Sequence, residues 1–238
     1  MSDRLPRSPM DQGGRGGHDP SPLNPMSPAI LAIAIAILVI ELAVTAGARG
    51  LVGGPLGIGW RANLIEQFAV SDRLFEWMWA TGNWSLPDLA RFVAYAFVHV
   101  SFSQAVFAAV FVLALGKFVG DVAGGLRATV IFLGSAIVGA LVYVLVVQDA
   151  GFLTGGFPGA YGLIGAFSYV LMTRLEQMGG NQLQAFQLLG ILMAIQLGFG
   201  LIFGGPPHWI ADLAGAGAGF ALMALMQPGA LVGWIRRR

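Results

Sequence analysis

Residues 28–46, PAILAIAIAILVIELAVTA, decide the fold class of this chain. The stretch is apolar except for Glu41 and Thr45, and Pro28 stands at the position where a helix start favours proline. About 20 mostly apolar residues are enough for a helix to cross the hydrocarbon core of a bilayer. The stretch therefore predicts a membrane-spanning helix.

Five further apolar stretches follow along the chain, and the fourth span is the shortest. We place them at about 92–115, 128–147, 160–172, 186–203 and from after Pro207 to before Gln227. The sequence therefore predicts an all-α, multi-pass membrane protein with six spans. Residues 28–226 would form its single membrane domain.

The composition excludes several classes of function. Hydrophobic residues make up 56% of the 238 residues and charged residues only 11%, against about 25% charged residues in soluble domains. The first predicted partner is therefore the lipid bilayer. A net charge of +1 without a basic stripe excludes nucleic acid as a partner. Without cysteine, and with only the scattered His18, His99 and His208, we predict no metal site and no cofactor.

The two ends of the chain differ from the apolar centre. Residues 1–27 are rich in proline, glycine and serine and lack an apolar period, so we predict a disordered tail rather than a signal peptide. Residues 227–238 form a short basic tail. The positive-inside rule favours the cytoplasm for both tails. On that topology nine of the 13 basic residues are cytoplasmic, namely Arg4, Arg7, Arg15, Lys117, Arg127, Arg174, Arg236, Arg237 and Arg238.

The long first loop, about residues 49–90, holds four of the six tryptophans: Trp60, Trp77, Trp79 and Trp84. Tryptophan is enriched at the boundary between membrane and water. We interpret the loop as a partly helical element that lies in the outer interface. The alternative is an ordinary loop that packs on the helix bundle.

Ionisable residues inside predicted spans are costly and therefore informative. Glu41 lies in the first span, and we interpret it as the structural partner of Arg49 or Arg91 rather than as a catalytic group. Arg91 stands at the start of the second span, where it would snorkel or hold down the first loop.

Polar residues also group in the second span. His99, Ser103 and Gln104 would lie near one another at helical spacing. Three polar groups on one face suggest a hydrated pocket. A single packing hydrogen bond from the histidine is the alternative.

Small residues mark the fourth and sixth spans. Gly215 and Gly219 form a small-xxx-small pattern on the sixth span, which allows a neighbouring helix to approach closely. Gly159 and Gly162 open the fourth span. We therefore predict that these two spans pack against each other. On the sixth span His208 and Asp212 are four residues apart and share a face.

Three motifs, taken in order, resemble those of the rhomboid family of intramembrane serine proteases. The family's second-helix pattern is Arg, His, His and Asn. This chain has Arg91, His99, Gln104 and Ala108 at the corresponding positions. Its nucleophile motif, G-x-S-G, is met by Gly159, Ala160, Tyr161 and Gly162. Its sixth-helix motif, A-H-x-x-G-x-x-x-G, is met by Ala211, Asp212, Gly215 and Gly219. The resemblance covers about residues 28–226 and implies the six-helix bundle of the bacterial inner-membrane form.

The departures from the family pattern fall on the chemistry. Tyr161 takes the position of the nucleophilic serine, and Asp212 that of the histidine base. A phenol has a pKa near 10, and a carboxylate with a pKa near 4 is a weak base for it. The sequence therefore predicts that no catalytic pair is intact. We further expect a direct hydrogen bond from Tyr161 to Asp212 that locks the fourth span to the sixth.

Three functions follow as hypotheses. The leading one is a proteolytically inactive rhomboid-like protein that binds or regulates the transmembrane segments of client proteins, as the resemblance implies. The second is an active protease that uses Ser101, Ser103, Ser135 or Ser168 with His99 or His208 as base. The third is a small transporter with a proton path, for which we find no inverted repeat.

Overall fold

The computed structural model describes residues 26–148 and 151–227 of the chain. The predicted tails, apart from Met26, Ser27 and Gln227, lie outside the described residues. The described parts are helical, with one isolated antiparallel bridge between Val70 and Leu153. The α-helices are α1 Pro28–Ala48, α2 Gly54–Gly57, α3 Trp60–Phe68, α4 Asp72–Thr81, α5 Leu86–Ala94, α6 Phe102–Ala123, α7 Gly125–Val146, α8 Phe157–Gln177, α9 Gln187–Phe203 and α10 Trp209–Met226. Short 3₁₀ helices, Tyr95–Phe97 and Gln182–Phe186, precede α6 and α9.

Five segments are long and apolar enough to span a membrane: α1, α6, α7, α10 and Gln182–Phe203, which contains α9. The remaining predicted span corresponds to α8, which has 21 residues and so extends about 30 Å. About half of its residues are buried. Because protein rather than lipid surrounds α8, its sequence tolerates more polar residues than its neighbours. The predicted all-α membrane bundle is confirmed.

The second predicted span is interrupted. We expected a helix from about residue 92, but α5 ends at Ala94 and α6 begins only at Phe102. Ser101 caps α6, because its Oγ accepts a hydrogen bond from the backbone N of Gln104 at 3.3 Å. The Gln104 side chain reaches back and accepts from the backbone N of Val100 at 2.9 Å. This reciprocal arrangement resembles a capping box and fixes the break in the helix.

The first loop is largely helical, because α2, α3, α4 and the start of α5 lie within it. Phe75 contacts the rings of Trp79, Trp84 and Phe92 with centroid distances of 6.1–6.4 Å. Aromatic pairs at such distances stabilise a local cluster. The helical character that the sequence predicted is therefore present, and the position of this loop in the interface stays a prediction.

The closest helix packing joins α8 to α10. A Cβ atom added at Gly219 would overlap the carbonyl oxygen of Gly162, and one added at Gly215 would overlap that of Pro158. Only glycine lets the two backbones approach so closely. The predicted packing between these two spans is confirmed.

Helix α9 stands apart from this tight centre. None of its residues is buried, and it packs mainly against α8, α10 and the 3₁₀ turn before it. Leu189, Leu192 and Met193 are half-buried against the core. The outer face, including Phe199 and Leu201, is exposed and apolar.

Candidate functional site

A chain of two hydrogen bonds links α8, α9 and α10 at one end of the bundle. The hydroxyl of Tyr161 donates to Oε1 of Gln196 at 3.2 Å. The Nε2 of Gln196 donates to Oδ2 of Asp212 at 2.7 Å. The expectation of a direct hydrogen bond between Tyr161 and Asp212 is therefore wrong, because the amide of Gln196 lies between them.

Gln196 was not among the residues predicted from the sequence. Its signal was nevertheless present, since Gln196 lies in the middle of the apolar run of α9, with only Gln187 as a second polar residue at the helix start. A polar side chain within an apolar span finds a hydrogen-bond partner, because leaving it unpaired in hydrocarbon is costly. That partner could not be identified without the arrangement of the helices.

The hydrogen-bond chain borders a cavity of about 300 Å³. Residues from α6, α8, α9 and α10 and from the segment before α8 line it. Six polar side chains face it: Gln104, Thr154, Tyr161, Gln196, His208 and Asp212. His208 and Asp212, which we placed on one face of the sixth span, therefore do border the same cavity.

His99 lies outside the membrane-spanning helices, in the connection between the first 3₁₀ helix and α6. Its Nε2 accepts a hydrogen bond from the backbone N of Gly156 at 3.2 Å, just before α8 begins. Burial lowers the pKa of His99 from 6.5 to about 4, although the negative charge of Glu41 opposes the shift. His99 is therefore a neutral hydrogen-bond acceptor at pH 7.

The grouping of His99, Ser103 and Gln104 at helical spacing is only partly correct. His99 and Gln104 both lie close to Gly155, which has a φ of 95°, because a Cβ atom added there would come within 3.3 Å of each side chain. The connection before α6, rather than a continuous helix, brings them together. Ser103 is exposed on α6 and takes no part.

Two residues at motif positions serve packing. Ala108 is fully buried in α6 and offers no polar atom. A Cβ atom at Gly159 would meet the ring of Phe132, so this glycine lets α8 contact α7 closely.

Glu41 pairs with Arg61, which corrects the expectation that Arg49 or Arg91 would be its partner. Arg61 Nη2 lies 2.6 Å from Glu41 Oε1, and Nη1 lies 3.0 Å from Oε2. Arg61 also donates to the backbone O of His99 at 2.7 Å. The pair thus joins α1, α3 and the segment that carries His99.

Arg91 does hold down the first loop. It donates to the backbone O of Glu66 near the end of α3 at 2.8 Å. Its Nε lies 3.6 Å from Oδ1 of Asp88 within α5. Both partners belong to the region between α1 and α6, so Arg91 joins α5 to α3.

Tyr161 and Asp212 do not contact each other as a nucleophile contacts its base. The proton of the Tyr161 hydroxyl points to an amide oxygen, which is not a base, and Asp212 receives its hydrogen bond from the same amide. Ser135 and Ser168 are buried with hydroxyls that have no hydrogen-bond partner in the described chain, and the Ser101 hydroxyl caps α6. General-base activation requires a nucleophile within hydrogen-bond reach of its base.

The described residues contain no group of three or more His, Asp and Glu side chains that could hold a metal ion.

Comparison with known sequences gave a family match. A model described as the Rhomboid domain matches residues 87–229, which is more than half of the chain and includes every helix around the cavity. No curated protein matches the sequence.

Proposed function

The chain belongs to the rhomboid family and is a multi-pass membrane protein, and we propose that it binds transmembrane segments of client proteins without cleaving them. The hydrogen-bond chain from Tyr161 through Gln196 to Asp212 carries this proposal. These residues stand at the motif positions where the family has its serine and histidine, with a third residue between them.

The chemistry of these groups supports the loss of proteolysis. Peptide cleavage needs a nucleophile whose proton passes to a base during attack. The amide of Gln196 cannot accept that proton, and it separates the phenol from the carboxylate. Removal of catalytic-triad members costs on the order of 10⁴–10⁶ in rate. A member with both groups replaced would retain the scaffold and its binding surfaces only.

The exposed face of α9 supports the binding of helical clients. Ile191, Phe199 and Leu201 are exposed and apolar, so a second apolar helix can replace lipid along this face. Helix association in membranes depends on packing and interhelical hydrogen bonds, and not on the removal of apolar surface from water. Because α9 buries none of its own residues, it can shift to fit a client at little cost.

The proposal also includes a membrane topology. Residues 28–226 form the membrane domain, the tails 1–27 and 227–238 are cytoplasmic, and the membrane is a bacterial inner membrane. The distribution of arginine and lysine supports this orientation.

The chain has no cysteine, so single cysteines can be introduced at Asn83, after α4, and at Asn181, after α8. An impermeant maleimide applied to intact cells should label the first and spare the second; the opposite pattern would reverse the orientation.

Two measurements on the purified protein test the function. A fluorophosphonate probe and a permissive rhomboid substrate should give neither labelling nor cleavage, with an active rhomboid protease as the positive control. Covalent labelling of any serine, or cleavage of the substrate, would overturn the claim of inactivity. A photo-crosslinking amino acid at Ile191 should capture a single-span reporter helix in liposomes, and the absence of capture would overturn client binding.

A further experiment asks whether the scaffold still supports catalysis. The double variant Tyr161→Ser with Asp212→His restores the family's pair, and Gln196→Ala added to it removes the intervening amide. We expect fluorophosphonate labelling of the variant above that of the wild type. Slow labelling is expected, because Gln104 and Ala108 also differ from the family's polar residues.

A further inference from the structure

Asp212 is a buried carboxyl group with no basic side chain paired to it among the described residues. It is 2% exposed in the first turn of α10, and its hydrogen bond comes from neutral Gln196. Within the described part of the chain, Arg61, Arg91 and Lys117 pair with carboxylates other than Asp212, namely Glu41, Asp88 and Asp121. A buried charge is costly unless it is paired, and the positive end of a helix dipole offsets only part of that cost.

Two further polar atoms, on residues that line the same cavity, have no hydrogen-bond partner among the described residues. Thr154 is 4% exposed, and its Oγ1 makes no hydrogen bond within the described chain. The same holds for Nε2 of His208. Burial lowers the pKa of His208, so its ring is neutral at pH 7 and supplies no positive charge to Asp212. With its proton on Nδ1, His208 offers Nε2 as an acceptor.

Aromatic rings form part of the cavity wall. Phe111 and Phe157 lie edge to face with centroids 6.5 Å apart, and both line the cavity with Tyr161. The faces of aromatic rings attract cations, and the attraction is stronger away from water. A volume of about 300 Å³ holds roughly ten water molecules at about 30 Å³ each, which leaves room for an alkyl chain with one polar head.

We propose that this cavity binds a primary ammonium group, supplied by a lysine in the transmembrane segment of a client. The inference rests on the proposed function and names the class of client. An ammonium has three N–H donors, and three of the residues that line the cavity, Asp212, Thr154 and His208, carry acceptor atoms. A lysine in a membrane segment gains from such a site, because an unpaired charge inside the bilayer is costly.

The test uses single-span reporter helices in liposomes with a photo-crosslinking amino acid at Ile191. One reporter series carries a lysine and the other a methionine of similar length, each placed at successive positions along one half of the helix. We expect the best lysine reporter to be captured about tenfold more than its methionine counterpart, as charge-assisted hydrogen bonds imply. Asp212→Asn should remove this preference while capture of the methionine reporter persists.

Two more variants show whether a lost preference for lysine comes from the cavity or from unfolding of the protein. Thr154→Val removes one acceptor without changing the charge and should reduce the preference for lysine several-fold. Asp121→Asn removes a carboxylate that pairs with Lys117 on α6, and it should leave the preference unchanged. Monodisperse elution and capture of the methionine reporter identify variants that remain folded.

The possible results separate this inference from the proposed function. Equal capture of lysine and methionine reporters overturns the lysine site and leaves client binding standing. Capture of neither reporter overturns both. If butylammonium raises the melting temperature of the wild type but not of Asp212→Asn, while the reporters show no preference, the cavity binds a free amine and the client assignment is overturned.

Discussion

The interface between α8 and α10 and the interface around α9 are built in opposite ways. At the first, glycines bring backbone against backbone, and a single added carbon atom would collide with a carbonyl oxygen. Helix α9 buries none of its residues, and a Cβ atom added at Gly190, Gly198 or Gly200 would meet nothing within 4 Å. The first interface is tightly packed, and the second is loosely packed.

This difference separates the part of the molecule that maintains the fold from the part that is free to respond. The tightly packed pair positions Tyr161 and Asp212, while α9 contributes Gln196 through two hydrogen bonds and packs against the pair without burying any of its own residues. Interhelical hydrogen bonds in membranes average about 0.6 kcal/mol, so they hold α9 weakly. A client helix therefore competes with a weak contact and leaves the core intact.

The largest expected effect is that of Gly219→Ala. The new methyl group would overlap the carbonyl oxygen of Gly162, and overpacking against backbone costs about 3 kcal/mol. The melting temperature in detergent should fall sharply. Gly217→Ala is the matched control two residues away, where an added Cβ meets nothing. Equal melting temperatures for the two variants would show that α8 and α10 are not in close contact.

A smaller loss of stability is expected when His99 is protonated at low pH. Because its pKa is lower in the folded protein, about 4 against 6.5, the unfolded chain binds more protons between these values. Stability is therefore full above pH 6.5 and falls as the pH falls towards 4, by about 2 kcal/mol at pH 5. Glu41 and Arg61 are the charged groups that face His99.

Thermal melting between pH 7.5 and 4.5 measures this effect. His99→Gln keeps an acceptor for the backbone N of Gly156 but does not titrate, so its pH dependence should be weaker. Helix α9 contains no titratable residue. Acid should therefore raise the hydrogen exchange of the α9 amides less than that of the amides around Gly156. The same pH dependence in both proteins would contradict the assignment.

Gln196→Leu removes two interhelical hydrogen bonds. We therefore expect the free energy that holds α9 on the bundle to fall by about 1 kcal/mol. The melting temperature should fall little, while hydrogen exchange of the α9 amides rises about fivefold. Gln187→Leu makes the same change at an exposed position of α9 and should leave the exchange unchanged. Faster exchange throughout the bundle would show that α9 belongs to the cooperative core.

The smallest effect is expected from Gly200→Ala, the counterpart on α9 of Gly219→Ala. The added methyl group has space, and alanine favours the helix by up to about 1 kcal/mol over glycine. The melting temperature should stay the same or rise slightly. A fall as large as that of Gly219→Ala would remove the distinction between the two interfaces.

Local patterns predicted the rigid part of the molecule well. The spacing of Gly215 and Gly219 is a property of one helix, and it correctly indicated the packing of α10 against α8. The break before α6 was also readable, because Ser101 and Gln104 have the spacing of a capping box. Averaged hydrophobicity hid it, since the residues on both sides are apolar.

Partners that are distant in the chain could not be predicted in the same way. Glu41 had several candidate arginines, and only the fold of the first loop selects Arg61. Gln196 joins Tyr161 and Asp212 because three separate helices meet. A sequence shows that a buried polar group needs a partner, but the tertiary arrangement decides which one it receives.

The ion pair between Glu41 and Arg61 has a consequence for the order of assembly during synthesis. The carboxylate leaves the ribosome 20 residues before the guanidinium that neutralises it. A charged residue near the centre of an inserting helix costs about 3 kcal/mol on insertion scales. We therefore expect the nascent first helix to reach its stable position in the bilayer only after residue 61 has left the ribosome and folded back onto it.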